Sequence, residues 1–379
     1  MIYFDNAATT SPKPDAVREA VAFAMKNLSV NPGRSSYARA MEASKLIYEC
    51  RETASDFFEF SHPERVIFTS NCTHAINTVI KGLRLKNGNI VTSSLEHNAV
   101  MRPLEKCKRM GCEIRIAEVF LDDPSATVRS FARLIDDQTK LVICLHGSNV
   151  FGILLPIEQI GKLCYDRKVP FAVDAAQTAG VIPISMENMH IDYLCLPGHK
   201  GLYGPMGTGL LLCGGNLPET LMEGGTGNFS IHSFQPEDLP ERLESGTVNL
   251  PGIAGLKAGI EFVKQKTPQR IHAYEMGLLQ QAYQGLKSIR HVTLYTPYPQ
   301  QEQYTSVLSF NINQFPSMEA AEKLAEGGFA LRAGLHCAPN AHRRLGTVSY
   351  GTIRFAPSIF NNRGEVTRFL QYVSKLSKK

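Results

Sequence analysis

No stretch of this chain approaches the ~20 consecutive apolar residues that a membrane-spanning helix requires. Its N-terminus, MIYFDNAATT, has no basic segment followed by an apolar one, so no secretory leader is expected and the expected compartment is the cytoplasm. There is no basic arm and no run of Lys and Arg. The 40 Lys and Arg against 35 Asp and Glu leave a net charge of +5 scattered along the sequence, which argues against a nucleic-acid partner. A CxxC pair is also missing, and the nine cysteines are an odd number, so neither a zinc knuckle nor a disulfide framework is indicated. Most of them, Cys144, Cys164, Cys195 and Cys213 included, sit in apolar runs and read as small buried hydrophobes.

What remains is the composition of a globular enzyme: 379 residues, 43% hydrophobic and 20% charged. That length exceeds one ordinary domain, so a large and a smaller domain are expected. The informative stretch is Val169 to Lys200, where an apolar run ending in an acid (FAVD) is followed by a turn and a second apolar run (IDYLCL) ending in Pro-Gly-His-Lys. Both runs read as strands. In an open α/β sheet the carboxyl ends of the strands face the ligand crevice, so Asp174 and Lys200 would meet one bound molecule. An aldehyde cofactor such as pyridoxal phosphate needs those two groups: a lysine amine for a Schiff base, and a carboxylate to keep its pyridine nitrogen protonated. Taken alone, an Asp and a Lys at strand ends are most often a helix cap and a solvated loop residue.

Other segments repeat the strand-then-polar-turn theme. RVIFTS followed by NCTHAINTVIKGL reads as a strand running into a helix, and a phosphate at that helix start would meet free N–H groups and the Thr73 hydroxyl. NIVTSS ends at Leu95 to Asn98, and KLVICLHGSN brings Asn149 to the crevice. Successive β-α units from about residue 65 to 215 predict a mostly parallel sheet covered on both faces. The DNAATT segment reads as a strand, Asp15 as the cap of a helix carrying Val17, Ala20, Val21 and Ala24, and Ala38 to Phe57 as a second helix. The glycines after Lys200 precede an apolar strand and not a helix, so they are turn glycines and not a dinucleotide loop. The last helix carries Val366, Phe369, Leu370 and Val373 at helical spacing.

The blocks DNAATT (5–10), LEHNAV (95–100), SNVFGILLPI (148–157), VDAAQ (173–177), GHK (198–200), ESGTVN (244–249) and RAGLHCAP (332–339) span nearly the whole chain. Together they resemble the class V aminotransferase family, and within it the cysteine desulfurase and selenocysteine lyase branch. The resemblance implies an α/β protein of PLP-dependent transferase fold type I. Its large domain, 17–255, would hold a mostly parallel seven-stranded sheet, and residues 1–16 and 256–379 would form a smaller α+β domain with an N-terminal arm. It implies pyridoxal 5'-phosphate as cofactor, with Lys200 as Schiff-base lysine, Asp174 on the pyridine nitrogen and His97 stacked on the ring. Asn149 and Gln177 would bond the ring oxygen, and Thr73 and His199 the phosphate. Thr247 would reach the partner's phosphate across a homodimer. Arg354 would hold the substrate carboxylate, with Arg332 and Asn149 as further substrate contacts, and His97 would act with Lys200 and Cys337 in catalysis.

Cys337, in GLHCAP, is the residue that separates desulfurases from ordinary class V aminotransferases. It sits in a Gly/Pro-bounded polar loop beside His336, and a thiol with pKa ~8.5 gains reactivity from nearby positive charge, which His336 and Arg332 are expected to supply. The implied reaction converts L-cysteine to alanine and leaves a persulfide on Cys337 for a sulfur-acceptor protein or small thiol. L-selenocysteine is an alternative substrate, and an aminotransferase or epimerase with an incidental Cys337 is an alternative activity. A catalytically silent sulfur carrier is a reading from another class, opposed by the intact Lys200 and Asp174. The likeness thins in SVNPGRSSY (29–37), which lacks the family's histidine, and in 224–234. Arg34 in the first of these reads as a surface-loop residue near the site mouth.

Overall fold

A computed structural model describes residues 1–32, 37–227 and 230–378. Arg34 lies outside the described residues. The chain opens with β1 (Ile2–Tyr3), α1 (Asp15–Asn27) and α2 (Ala38–Phe57), then alternates: β2 (Val66–Thr69), α3 (Cys72–Gly82), β3 (Asn89–Ser93), α4 (Asn98–Arg109), β4 (Glu113–Ala117), α5 (Pro124–Leu134), β5 (Thr139–Leu145) and α6 (Ile157–Asp166). Three strands follow, β6 (Phe171–Asp174), β7 (Tyr193–Pro197) and β8 (Gly209–Cys213). After 214–249, whose described residues form no helix or strand, come α7 (Leu250–Lys266), α8 (Pro268–Ser288), β9 (Val292–Leu294), β10 (Leu308–Ile312), α9 (Ser317–Glu326), β11 (Phe329–Ala330), β12 (Arg332–Gly334), α10 (Pro339–Leu345), β13 (Thr352–Phe355) and α11 (Arg363–Leu376).

Seven strands pair in the order β2-β8-β7-β6-β5-β3-β4. The five from β7 to β4 are parallel, and β8 runs antiparallel to both neighbours. Side chains alternate across a strand, and here both faces are buried. Val91, Val142, Val173 and Leu194 enter one core with residues of α5, α6 and α7; Ile90, Leu141, Ala172 and Tyr193 enter another with residues of α3 and α4. A fully buried Val, Leu or Ile among them contributes ~1.5–3 kcal/mol, and the charged pair Asp174 and Lys200 sits at the carboxyl ends of β6 and β7. A second, antiparallel sheet has the order β12-β13-β10-β9, and β1 pairs with β11. Phe4 is fully buried, with its ring centroid 4.4 Å from that of Phe355.

Two local expectations are corrected. DNAATT is a turn, not a strand; its one bridge to the smaller sheet is between Asp5 and Ala356. Asp15 is the first residue of α1 and not its cap; Pro14 holds the cap position and no side chain closes it. The expected helix at Ala38 to Phe57 is α2.

Candidate active site

Asp174 ends β6 in register with Cys195 of β7, so Lys200, three residues beyond β7, emerges on the neighbouring strand at the same edge. Asp174 is buried, and its Oδ1 accepts the Ala176 N–H at 2.9 Å and the Cys72 thiol at 3.4 Å. The turn carrying Lys200 is packed too tightly for a side chain at Gly198, where a Cβ would stand 2.2 Å from Thr208 Oγ1.

The DNAATT turn clamps that same segment. Thr10 N–H and Thr9 Oγ1 each donate to the His199 carbonyl at 3.1 Å, Lys13 Nζ donates to it at 2.7 Å, and Thr10 Oγ1 donates to the Lys200 carbonyl at 3.0 Å. Burial lowers the Lys200 amine below its ordinary pKa, and Arg354 pushes the same way while Asp174 opposes. The amine is thereby drawn toward the neutral, nucleophilic form.

A cavity of about 110 Å³ brings together Thr73, His97, Asn149, Asp174, Gln177, His199 and Lys200. The first N–H groups of a helix lack intrahelical partners. At α3 the Asn71 side chain accepts that of His74, and Cys72 and Thr73 line the cavity. His97 caps α4 by accepting the Ala99 N–H on Nδ1 at 3.0 Å, which leaves the ring proton of the neutral form on Nε2. Burial depresses His97, and takes His199 down to about 4, with Lys200 and Lys13 adding to the fall. Asn149 Oδ1 and His199 Nδ1 are buried without a partner. Unsatisfied buried polar atoms beside a lysine and a carboxylate suit a polar ligand that bonds to them.

Cys337 is exposed and the other eight cysteines are buried. It lines an adjoining cavity that shares Thr73 and His97 with the first. His336 and Cys337 both adopt left-handed backbone, with φ of 47° and 57°, at a cost of ~1–3 kcal/mol each. Two bonds hold them there: Asn149 Nδ2 donates to the His336 carbonyl at 2.7 Å, and the Asn98 N–H donates to the Cys337 carbonyl, also at 2.7 Å.

The expectation that His336 supplies positive charge is overturned. Burial, reinforced by Arg354, drives its pKa down to about 2, and Nε2 faces the Thr352 carbonyl at 3.0 Å. The ring is neutral and structural.

Arg354 is 3% exposed, is paired with Asp5 at 2.8 Å, and donates to the Asn149 carbonyl at 3.3 Å; its Nε has no partner. Arg332 stands opposite it in the β12–β13 ladder and is exposed. Neither lines the Lys200 cavity. Thr247 lies elsewhere, in a cavity of about 760 Å³ that also contains Arg51 and Glu244. Those two form a buried bidentate pair, with bonds of 2.8 and 2.7 Å.

Sequence reasoning missed the roles of Asp5, Lys13 and Cys72. The DNAATT block marked the first, but its contacts are long-range and carry no local pattern.

A lysine and an aspartate at the carboxyl edge of a mostly parallel seven-stranded sheet, with a smaller antiparallel sheet behind, define an enzyme of the type I transferase fold. The chain belongs to the aminotransferase class-V family, whose model matches residues 2–369. It is 32% identical to a probable cysteine desulfurase of Methanothermobacter thermautotrophicus, over 96% of this chain and 92% of that protein. It is 30% identical to a probable cysteine desulfurase of Pyrococcus abyssi, over 100% and 94%. Among solved structures, a cysteine desulfurase from Thermococcus onnurineus superposes with a TM-score of 0.92 at 30% identity, over 100% of this chain and 94% of that one. The cysteine desulfurase CsdA (S-sulfonic acid) from Escherichia coli gives 0.88 at 26%, over 99% and 94%.

Proposed function

We propose that this protein is a pyridoxal 5'-phosphate-dependent cysteine desulfurase that converts L-cysteine to L-alanine and carries the sulfur as a persulfide on Cys337. The observation that carries the reading is Asn149: its side chain lines the Lys200 cavity and also pins the loop of the exposed thiol. The residues present fit the cofactor. Lys200 would bind its aldehyde, Asp174 its ring nitrogen and His97 its ring face; the unpartnered Asn149 amide oxygen, with Gln177, would face its ring substituents, and Thr73, His199 and the start of α3 its phosphate.

When bound, pyridoxal phosphate supplies an electron-withdrawing ring that stabilises negative charge on the substrate carbon. The chain's own residues do the rest. Arg354 holds the substrate carboxylate through its guanidinium, the unpartnered Nε included. Lys200 Nζ, drawn toward neutrality by burial, takes the proton from the substrate Cα. Cys337 thiolate forms an S–S bond with the substrate sulfur as the carbon–sulfur bond breaks, the electron pair stays with the carbon skeleton, and protonation completes alanine. The Cys337 thiol and L-cysteine thereby become the Cys337 persulfide and L-alanine, with no external oxidant.

The same proposal includes a homodimer in which Thr247 completes the partner's site, supported by its place away from the Lys200 cavity. It includes a cytoplasmic setting, supported by nine free thiols, and a division into residues 17–255 and 1–16 with 256–379, supported by the β1–β11 pairing. No described helix is long and apolar enough to cross a membrane.

The test is alanine formation from L-cysteine and from L-selenocysteine by the holoenzyme and by Cys337→Ser. The reading predicts alanine from L-cysteine with the parent and its loss in the variant. Alanine from L-selenocysteine alone assigns the lyase activity, and none from either contradicts the reading.

A further inference from the structure

The cavity beside Cys337, about 340 Å³, holds more positive charge than the proposed reaction uses. Lys81 on α3 and Arg102 and Lys106 on α4 line it, with no Asp or Glu among its lining residues. All three cations are exposed, and none makes an ion pair within 4.0 Å among the described residues, although Lys45, Lys162 and Lys323 on other helices do, and Arg109 pairs with Glu105 on α4 itself. Arg102 and Lys106 are four residues apart, so they project from one side of α4, where like charges repel. An arrangement that gathers uncompensated cations in a concavity is suited to an anion.

That anion is neither the substrate carboxylate, which Arg354 takes, nor a group in the Lys200 cavity, whose lining contains none of the three. Position identifies it instead. The Cys337 carbonyl is bonded to Asn98, the first residue of α4, so the thiol sits at the start of that helix. At 1.5 Å per residue, Arg102 and Lys106 lie ~6 and ~12 Å further along the axis. An extended chain covers ~3.3 Å per residue, so these distances correspond to acidic groups about two to four residues from an incoming thiol.

Resting on the desulfurase reading, the geometry points to an acidic sulfur acceptor: a thiol with carboxylates two to four residues away, seated on Lys81, Arg102 and Lys106 while its sulfur meets Cys337. The acceptor thiolate attacks the outer sulfur of the persulfide. The new S–S bond forms as the bond to Cys337 Sγ breaks, Cys337 leaves as thiolate and takes the proton released by the acceptor. One acceptor thiol and one enzyme persulfide become one acceptor persulfide and one enzyme thiol.

The probes are synthetic peptides with one cysteine flanked by Glu, by Ser or by Lys, given to holoenzyme preloaded with L-cysteine. The acidic peptide is expected to take sulfur about 10-fold or more faster than the Ser peptide at low salt, with the advantage fading as ionic strength rises. In Lys81→Gln/Arg102→Gln/Lys106→Gln that advantage disappears, while the alanine burst and transfer to dithiothreitol stay at the parent's rates. A Glu-flanked peptide with Ser replacing Cys should bind the parent and lose binding to the variant, a readout independent of sulfur chemistry.

A tripeptide matching a longer peptide identifies a small acidic thiol, and preference for the longer one a protein segment. Equal rates for acidic and neutral peptides, with a normal alanine burst, overturn this inference and leave the desulfurase intact. An absent burst with acidic binding retained does the reverse. A triple variant that dissociates to monomers assigns the cations to a subunit interface and also overturns the acceptor role.

Discussion

Asn149 donates its side-chain amide to the carbonyl of His336 at 2.7 Å, across 187 residues of sequence. The bond joins the crevice of the large sheet to the loop of the exposed thiol. Losing it leaves a buried carbonyl unpaired, at ~1–3 kcal/mol, and loosens the left-handed turn at His336, while the Asn98 bond to Cys337 remains. Asn149→Ala is therefore expected to slow single-turnover alanine formation ~10-fold or more, with the cofactor still bound by absorbance. An unchanged rate would contradict the tie between loop and site.

Asp5 faces Arg354 at 2.8 Å and is the partner of a nearly buried guanidinium. Removing one member of a buried pair costs ~3–5 kcal/mol, and because Asp5 is partly exposed Asp5→Asn should fall at or below the lower end, seen as a lower denaturation midpoint. Arg354→Lys keeps the charge and loses the planar fork. It is expected to raise KM for L-cysteine ~10-fold with a smaller change in kcat, the pattern of lost carboxylate binding.

Glu96, next to His97, is fully buried and raised from the ordinary 4.5 to about 8. Burial is the cause, and Asp174 adds to it, against hydrogen bonds from Ser93 Oγ and the Leu145 N–H. Because the folded pKa is raised, the stability tied to this proton is fully present below about 4.5 and is lost as pH rises through about 8. Glu96→Gln should abolish that part of the dependence, so the parent's Tm falls more between pH 5 and pH 8 than the variant's, by about 2 °C or more. Parallel pH profiles of the two would refute it.

Thiol chemistry separates Cys337 from the rest. One thiol per chain is expected to react rapidly with a bulky uncharged alkylating reagent in the native holoenzyme, none in Cys337→Ser, and the other eight only after unfolding. Several fast native thiols would contradict the burial of the other cysteines.

The strands bearing Asp174 and Lys200 were legible because an apolar run that ends in a charged residue marks both the strand and its carboxyl end. The parallel order followed from alternation of β and α patterns. The reversed direction of β8 was not legible, since an apolar run such as GLLLC has no polarity of its own. DNAATT reads locally as extended; its turn is set by bonds to His199 and Lys200, some 190 residues away. The charge of His336 was misread for a related reason: protonation depends on burial, and burial of a loop histidine is a tertiary fact. The family block drew attention to Arg354, but its resident partner Asp5 was not legible.

The most direct measurement is the mass of the Cys337-containing peptide after holoenzyme turns over a single equivalent of L-cysteine with no acceptor present. The account predicts a gain of one sulfur atom on that peptide, matched by one alanine per site and reversed by a reducing thiol. Alanine formed with the peptide unmodified, or sulfur found on another cysteine, would contradict Cys337 as the carrier.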